Sequence, residues 1–379
     1  MKYTDFEKLK FNLIIESPGR INIIGEHTDY NNGFVLPTAI DKKIHFKFRK
    51  NNSKGTCNVA SSNFKTSFSF NLDNTNKTDQ QWENYILGVV NGIQQLSDKL
   101  EGFDCILNSD IPIGSGLSSS AALECGLAFG LNELFQLNLS KQTIVKIGQK
   151  AEHDYVGTKC GIMDQFASVM SKKDHVILLD CQSLDFEYVP IHIQPYKILL
   201  LNTNVSHNLA DGEYNKRRHL CEKGVAIIQK KYQNVKSLRD VSTQMLAEFK
   251  NEFSEDLFNK CTYVVDEKVR VLKTVEALKK NELKVMGKNM YKTHNGLQHF
   301  YDVSCQELDF LVDFTKQYDE IIGARMMGGG FGGCTINIIH EDFIDSFISK
   351  VSDAYYKKFN IKLTSFEAMP SEGTTIKNI

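Results

Sequence analysis

The sequence predicts an α+β protein built as two domains, and three observations carry that prediction. Runs with strand alternation and runs with helical spacing are interspersed, so the apolar period changes often along the chain. The two kinds do not alternate as regular βαβ units, which favours strands and helices in layers over a doubly wound parallel sheet. A length of 379 residues is enough for two domains, each with its own core. Length alone puts the division near residue 190, giving domains of residues 1–190 and 191–379.

In chain order, residues 11–16 and 21–24 are apolar enough for strands, and "IHFKFRK" at 44–50 alternates as a half-buried strand should. Trp82, Tyr85, Ile86, Val89, Val90, Ile93 and Leu96 recur at helical spacing. Residues 103–107 form a further strand. One helix follows Ser118 and another follows Ser140, which suits an N-cap because its hydroxyl can accept from a free N–H of the first turn. Strands at 175–180, 197–203 and 334–340, with helices at 215–232, 264–280 and 342–358, complete the set. No internal repeat and no proline- or serine-rich linker interrupts it.

Composition excludes several classes. Apolar residues at 41% and charged residues at 24% are ordinary for a globular chain. A net charge of −1, without a basic block or acidic tail, is a poor footing for nucleic acid or an anionic membrane surface. The N-terminal "MKYTDFEKLKFNLII" lacks a secretory core. No run approaches the roughly 20 apolar residues that span a bilayer. Nine cysteines without a CxxC pair read as reduced, buried thiols of a cytoplasmic protein, not a disulfide frame or zinc site. The sequence leaves the oligomeric state open, with a monomer favoured.

Two glycine-rich loops stand out. "PIGSGLSSSAALE" at 112–124 follows a strand and opens a helix. Gly114 and Gly116 let the backbone turn and approach a ligand, and Ser118, Ser119 and Ser120 present hydroxyls and N–H groups at a helix start. A simple serine cap would need one serine and one glycine, so the excess points to phosphate. "MMGGGFGGC" at 326–334 fits GxGxxG through Gly328, Gly330 and Gly333, but its clear strand comes after the loop and no helix follows. That is the wrong context for a dinucleotide fold, though the backbone there must approach something closely. A GxxxxGK[ST] loop and the protein-kinase HRD and DFG pair are absent.

The ionisable residues lie in two stretches. "SPGRINIIGEHTDYNNG" edges an aliphatic run with Arg20, Glu26, His27 and Asp29, and "AEHDYVGTKCGIMDQFAS" carries Glu152, His153, Asp154 and Asp164. Phosphoryl transfer needs a held triphosphate, a metal, an oriented hydroxyl and positive charge near the transferred group. Ser120 and Glu152 could give the metal hard oxygen ligands, and an aspartate beside an arginine suits the hydroxyl. Against this, an acidic helix end is commonly just a solvated surface, and His153 is assigned no role.

These residues resemble a known family. "GRINIIGEHTDY", "PIGSGLSSSAALE", "CGIMDQF" and "GGGFGGC" look like the galactokinase signature and the three motifs of the GHMP small-molecule kinases, in order from about residue 15 to 340. "HNLADGEYNKRR" at 207–218 and "YDVSCQELD" at 301–309 are also galactokinase-like. The resemblance implies a two-domain GHMP kinase fold with the active site in the cleft between domains. It implies transfer of the γ-phosphate of ATP to the C1 hydroxyl of α-D-galactose, opening galactose catabolism. Glu26, His27, Asp29, Gly161 and Tyr214 would hold the sugar; Asp164 would be the base or orienting group, with Arg20 beside it on the phosphoryl charge. Gly114, Ser115, Gly116, Leu117, Ser118, Ser119 and Ser120 would hold the nucleotide phosphates, with Ser120 and Glu152 on Mg²⁺. Trp82 matches an aromatic near the adenine in relatives, and equally suits a core anchor of its helix. An N-acetylgalactosamine kinase shares the motifs but carries a cysteine–glycine pair where this chain has Asn31 and Asn32. A non-enzymatic galactose sensor has lost part of the serine–alanine loop, which is intact here as "SSSAA".

Overall fold

The computed structural model describes residues 1–112, 114–206 and 210–377. Ile113 of the first glycine loop, and His207 to Leu209 at the head of the 207–218 stretch, lie outside the described residues. The described strands form three sheets. The first runs in the order β13 (Thr375–Ile376), β1 (Leu13–Asn22), β3 (Pro37–Lys50), β6 (Phe103–Ser109), β4 (Thr56–Ser61) and β5 (Thr66–Asn71). The second runs β10 (Ile321–Met326), β11 (Gly332–His340), β9 (Tyr196–Ser206) and β12 (Thr364–Ala368). A small third sheet joins β2 (Phe34–Val35), β7 (His175–Asp180) and β8 (Phe186–Pro190). Pairing is antiparallel except between β4 and β6, so this is α+β layering.

The expected strand at 44–50 is the second half of β3. Ile44, Phe46 and Phe48 face inward while Lys47 and Arg49 face out. Helix α3 (Ser119–Phe135) lies on that inner face. It comes close because Gly126 and Gly130, one turn apart, sit under the rings of Phe46 and Phe48. A Cβ at Gly126 would lie 2.3 Å from the Phe46 ring. Around α3 pack α2 (Gln81–Gln94), α4 (Lys141–Ala151) and α5 (Met163–Met170), with the short α1 (Tyr3–Phe6) at the strand edge. Ser140 caps α4 as expected, accepting from the Thr143 N–H at 3.1 Å.

In the other half, α8 (Glu255–Lys279) packs on α6 (Ala210–Gln229), α7 (Thr243–Glu248) and α9 (Leu283–His299). Helices α9 and α10 (Gln306–Thr315) lie on β10, and α11 (Ile344–Phe359) packs on α10. The run "KILLLNT" has no alternation because β9 is buried on both faces. Leu199 and Leu201 meet Phe347, Val351 and Tyr355, while Ile198 and Leu200 join the main core.

One expected strand is absent as a separate element. Residues 21–24 do not form their own strand: Ile21 and Asn22 end β1, and Ile23 and Ile24 bend away. Their backbone still bonds to Leu36, whose N–H is shared with the Asn22 side chain, so the turn that follows is held in place. No helix among the described residues is long and apolar enough to cross a membrane. All nine cysteines are unpaired.

Candidate active site

Strand β1 has a register shift between Pro18 and Arg20, and there it runs against the first glycine loop. A Cβ at Gly19 would lie 2.7 Å from the Leu117 carbonyl, and the Arg20 N–H donates to that same carbonyl at 3.0 Å. Only glycine lets the strand and the loop meet. The Arg20 side chain, 4% exposed, is thereby aimed at the loop and at the first turn of α5. Its Nε and Nη2 donate to the two oxygens of Asp164 at 2.7 and 2.9 Å, and Nη1 donates to the Gly116 carbonyl at 2.6 Å. Burial opposes its charge, but the Asp164, Glu26 and Asp29 carboxylates outweigh that and raise its pKa above the ordinary value.

The serine loop divides its hydroxyls in a way the sequence did not suggest. Ser118 was expected to face phosphate. In the structure it adopts a left-handed φ of 58°, and its hydroxyl donates to Asp164 Oδ2. Ser115 donates to the Pro112 carbonyl at 2.6 Å, and Leu117 is a core residue. Helix α3 consequently begins with no side-chain cap. Its opening N–H groups, at Ser119 and Ser120, carry the positive end of a 17-residue helix with no internal acceptor. Gly114 and Gly116, at φ 70° and 73°, provide the left-handed turns.

The sugar-signature stretch folds as a compact turn. Gly25 has φ 103° and His27 φ 61°, the latter a strained value for a side-chain-bearing residue. The Thr28 hydroxyl donates toward the Gly25 and Phe34 carbonyls at 2.8 and 2.7 Å, and Asn31 donates to the His27 carbonyl at 3.0 Å. From α8, the Tyr263 hydroxyl donates to the Glu26 carbonyl at 3.0 Å, and Glu267 accepts from the Gly25 N–H at 2.9 Å. Anchored on both sides, the turn directs Glu26, His27 and Asp29 into one cavity.

That cavity, about 190 Å³, is lined by Arg20, Glu26, His27, Asp29, Ser120, Glu152, Asp164 and Tyr214 from the expected residues. Thr158, Cys160, Met163, Gln165, Gly328 and Gly329 complete the wall. Burial, helped by the Asp164 carboxylate, raises the Asp29 pKa to about 7. Burial lowers that of His27 to about 3, so its imidazole is neutral. His27 Nδ1 lies 2.9 Å from the Tyr30 hydroxyl, and buried Nε2 meets no partner at hydrogen-bonding geometry, with the Gly329 backbone nearby. Gly161 is not on the wall itself. It backs Asp29, whose Oδ2 would lie 2.0 Å from any Cβ there. Trp82 stands apart from the cavity, its ring edge-on to Phe68 at 5.0 Å.

Several working residues gave no sequence signal. Arg325, fully buried, donates to the Ile23 and Met326 carbonyls and to Glu26 Oε1 at 2.8, 2.6 and 3.0 Å. The Gly328 N–H donates to the same Glu26 oxygen at 3.0 Å. Glu26 was expected to spend its carboxylate on a sugar; one of its oxygens is instead a strut. The second glycine loop, set between β10 and β11, thus touches the sugar turn. It also touches the serine loop, since a Cβ at Gly328 would lie 3.3 Å from the Gly116 carbonyl. Glycine-rich spacing marked that loop, but nothing marked what it approaches.

The chemistry of a metal site fits. Glu124 is buried, and its pKa is pushed well up by burial and then by the Glu152 carboxylate beside it and by Asp164. A cation would relieve that concentration of negative charge. Among the described residues no three His, Cys, Asp or Glu side chains converge to hold a metal alone. A hard cation taking one or two protein oxygens and completing its shell with phosphate and water would suit Ser120 and Glu152.

Comparison with known proteins identifies the family. Residues 4–50 match the galactokinase galactose-binding signature, 84–172 the GHMP kinase N-terminal domain and 274–357 the GHMP kinase C-terminal domain. The chain is 44% identical to a galactokinase of Thermosipho africanus over 361 residues, covering 95% of this chain and 99% of that one. It is 41% identical to a galactokinase of Clostridium beijerinckii over 379 residues, covering 98% and 97%. The crystal structure of Lactococcus lactis galactokinase complexed with galactose superposes with a TM-score of 0.92 at 32% identity, over 96% of this chain and 94% of the other. A mevalonate kinase, 20% identical with a TM-score of 0.65, shares the fold.

Proposed function

Because the chain belongs to the galactokinase family of the GHMP kinases, and is an ATP-dependent sugar kinase acting on galactose, we propose that Arg20 and Asp164 are its catalytic pair. The observation that carries this is the two-pronged contact of 2.7 and 2.9 Å between them, made beside an uncapped helix start. In the transfer, the C1 oxygen forms a bond to the γ-phosphorus, the bond from that phosphorus to the β–γ bridging oxygen breaks, and the hydroxyl proton is released.

Asp164 works on that proton. Its Oδ2 already accepts from Arg20 and Ser118, so Oδ1, with one bond from Arg20, is the oxygen with a lone pair to receive or orient the C1 hydroxyl. Arg20 meets the charge that builds on the phosphoryl oxygens, already oriented by the Gly116 carbonyl. The sugar is held by His27, Asp29, Tyr214 and the outer part of Glu26, with Gly161 keeping Asp29 in place. The phosphates lie along Gly114 to Ser120, on the α3 N–H groups. We assign Mg²⁺ to Ser120 and Glu152, where it would neutralise phosphate charge when bound. Trp82 is assigned to the hydrophobic core edge, because it packs on Phe68 away from the cavity.

The enzyme is further proposed to be cytoplasmic, a reading its nine unpaired cysteines support, and to be a monomer. We keep the domain division near residue 190, with β13 returning across it to pair with β1. The test is a sugar panel with ATP and Mg²⁺ that follows ADP and locates the product phosphate. Galactose phosphorylated at C1 is expected. Equal use of N-acetylgalactosamine would overturn the pocket assignment, and turnover unaffected by metal chelation would overturn the Mg²⁺ assignment.

A further inference from the structure

Two motif residues, Tyr30 and Tyr301, have no part in the reading above, yet both join a buried chain of hydrogen bonds that ends on His27. Cys221 Sγ lies 3.3 Å from the Tyr301 hydroxyl, that hydroxyl 2.7 Å from the Tyr30 hydroxyl, and Tyr30 2.9 Å from His27 Nδ1. Rings brace the same path: the His27 ring centre lies 5.0 Å from that of Tyr301 and 5.8 Å from that of Tyr30. The chain crosses between halves of the molecule, from α6 and the end of α9 to the sugar turn.

A neutral imidazole carries one N–H, and the direction of this chain decides which nitrogen holds it. If Nδ1 carried the proton, the bonds would run outward and end on the Cys221 sulfur, a weak acceptor. Run inward, they begin at the Cys221 thiol and end on the Nδ1 lone pair, the best acceptor of the four. The proton is then on Nε2, the buried nitrogen of a cavity-lining residue, which meets no partner at hydrogen-bonding geometry and has the Gly329 backbone nearby.

We propose that Tyr30 and Tyr301 are positioning residues that fix His27 as its Nε2–H tautomer, so that it offers the sugar a hydrogen-bond donor aimed at one hydroxyl oxygen. This rests on His27 being a sugar ligand. It deepens that reading: the site demands an acceptor oxygen at that point, and an analogue lacking it leaves a buried N–H unpaired.

The test has a spectroscopic and a kinetic arm, both on the full-length protein. Nitrogen-15 NMR of histidine-labelled, sugar-free enzyme should show His27 as the Nε2–H tautomer, and Tyr30→Phe should convert it to a mixture. Tyr30→Phe should raise the galactose KM about tenfold, the worth of one hydrogen bond to a buried group, with the ATP KM within about twofold. Tyr301→Phe leaves the Tyr30 contact in place and should cost about threefold. Across a panel of monodeoxygalactoses, the Tyr30→Phe penalty should shrink below about twofold for the one analogue lacking the partner hydroxyl. A wild-type Nδ1–H tautomer, a tautomer unmoved by Tyr30→Phe, or an equal penalty across the panel would overturn the inference. His27→Asn with an unchanged galactose KM would instead overturn the sugar-ligand reading beneath it, while the NMR arm still reports on the tautomer itself.

Discussion

Replacing Arg20 with lysine keeps the charge and removes the fork, and its cost follows from three distances. The guanidinium donates to both Asp164 oxygens at 2.7 and 2.9 Å and to the Gly116 carbonyl at 2.6 Å, from three different nitrogens. A lysine Nζ is a single point and can keep one of these contacts in its original direction. Two charge-assisted bonds are lost, each worth about 1.5 kcal/mol at the low end, or about 3 kcal/mol together. At 1.36 kcal/mol per factor of ten, Arg20→Lys should therefore lower kcat/KM by about 150-fold. The assay is ADP release coupled to NADH oxidation, at saturating ATP over a range of galactose. A melting temperature measured alongside checks that the fold is kept. A variant within about threefold of wild type would refute the argument that the planar fork, not merely a cation, is required.

Three other outcomes are expected. Gly161→Ala would put a methyl within 2.0 Å of Asp29 Oδ2, so the galactose KM should rise by at least about tenfold while the ATP KM holds; an unchanged galactose KM would remove Asp29 from the sugar site. With Asp29 raised to about 7 by burial, kcat/KM for galactose should climb as pH rises through about 7, and Asp29→Asn should flatten that limb. His27, lowered to about 3, should add no limb above pH 5. The stability sign runs the other way: protonated Asp29 stabilises the fold fully below its unfolded value of about 3.9, and this is lost as pH rises through about 7. Gly126→Ala should lower stability by about 1–2 kcal/mol, read from denaturant midpoints, because overpacking against Phe46 exceeds the helix-propensity gain of alanine. A midpoint that rises would show that α3 can shift on β3 without strain.

How much of this the sequence could show depended on whether a feature was local. The alternation in "IHFKFRK", the helical spacing from Trp82 to Ile93 and the Ser140 cap each depend on neighbours in the chain, and each appears in the structure, whereas Leu96 lies past the end of α2 and is exposed. Arg20 and Asp164 lie 144 residues apart, and their pairing became visible only because each sat in a recognisable motif. Arg325 had no such help: it is one arginine in a strand, and its role comes from the Ile23 carbonyl and Glu26 carboxylate it meets some 300 residues away. Ser118 misled in another way. Three adjacent serines looked equivalent on paper, but a left-handed backbone turns the first toward Asp164 and leaves the others at the helix start. Asp29 and His27 could be placed at the site by motif, while their opposite titration shifts come from burial, which requires the whole fold.

The most direct test of the Arg20–Asp164 account is Asp164→Asn, which keeps the shape and exchanges one carboxylate oxygen for an amide facing donors from Arg20 or Ser118. Calorimetric titration with galactose and steady-state turnover should be measured on the same preparation. The account predicts galactose affinity within a few fold of wild type and kcat lower by at least about a hundredfold. Wild-type turnover with intact binding would contradict it.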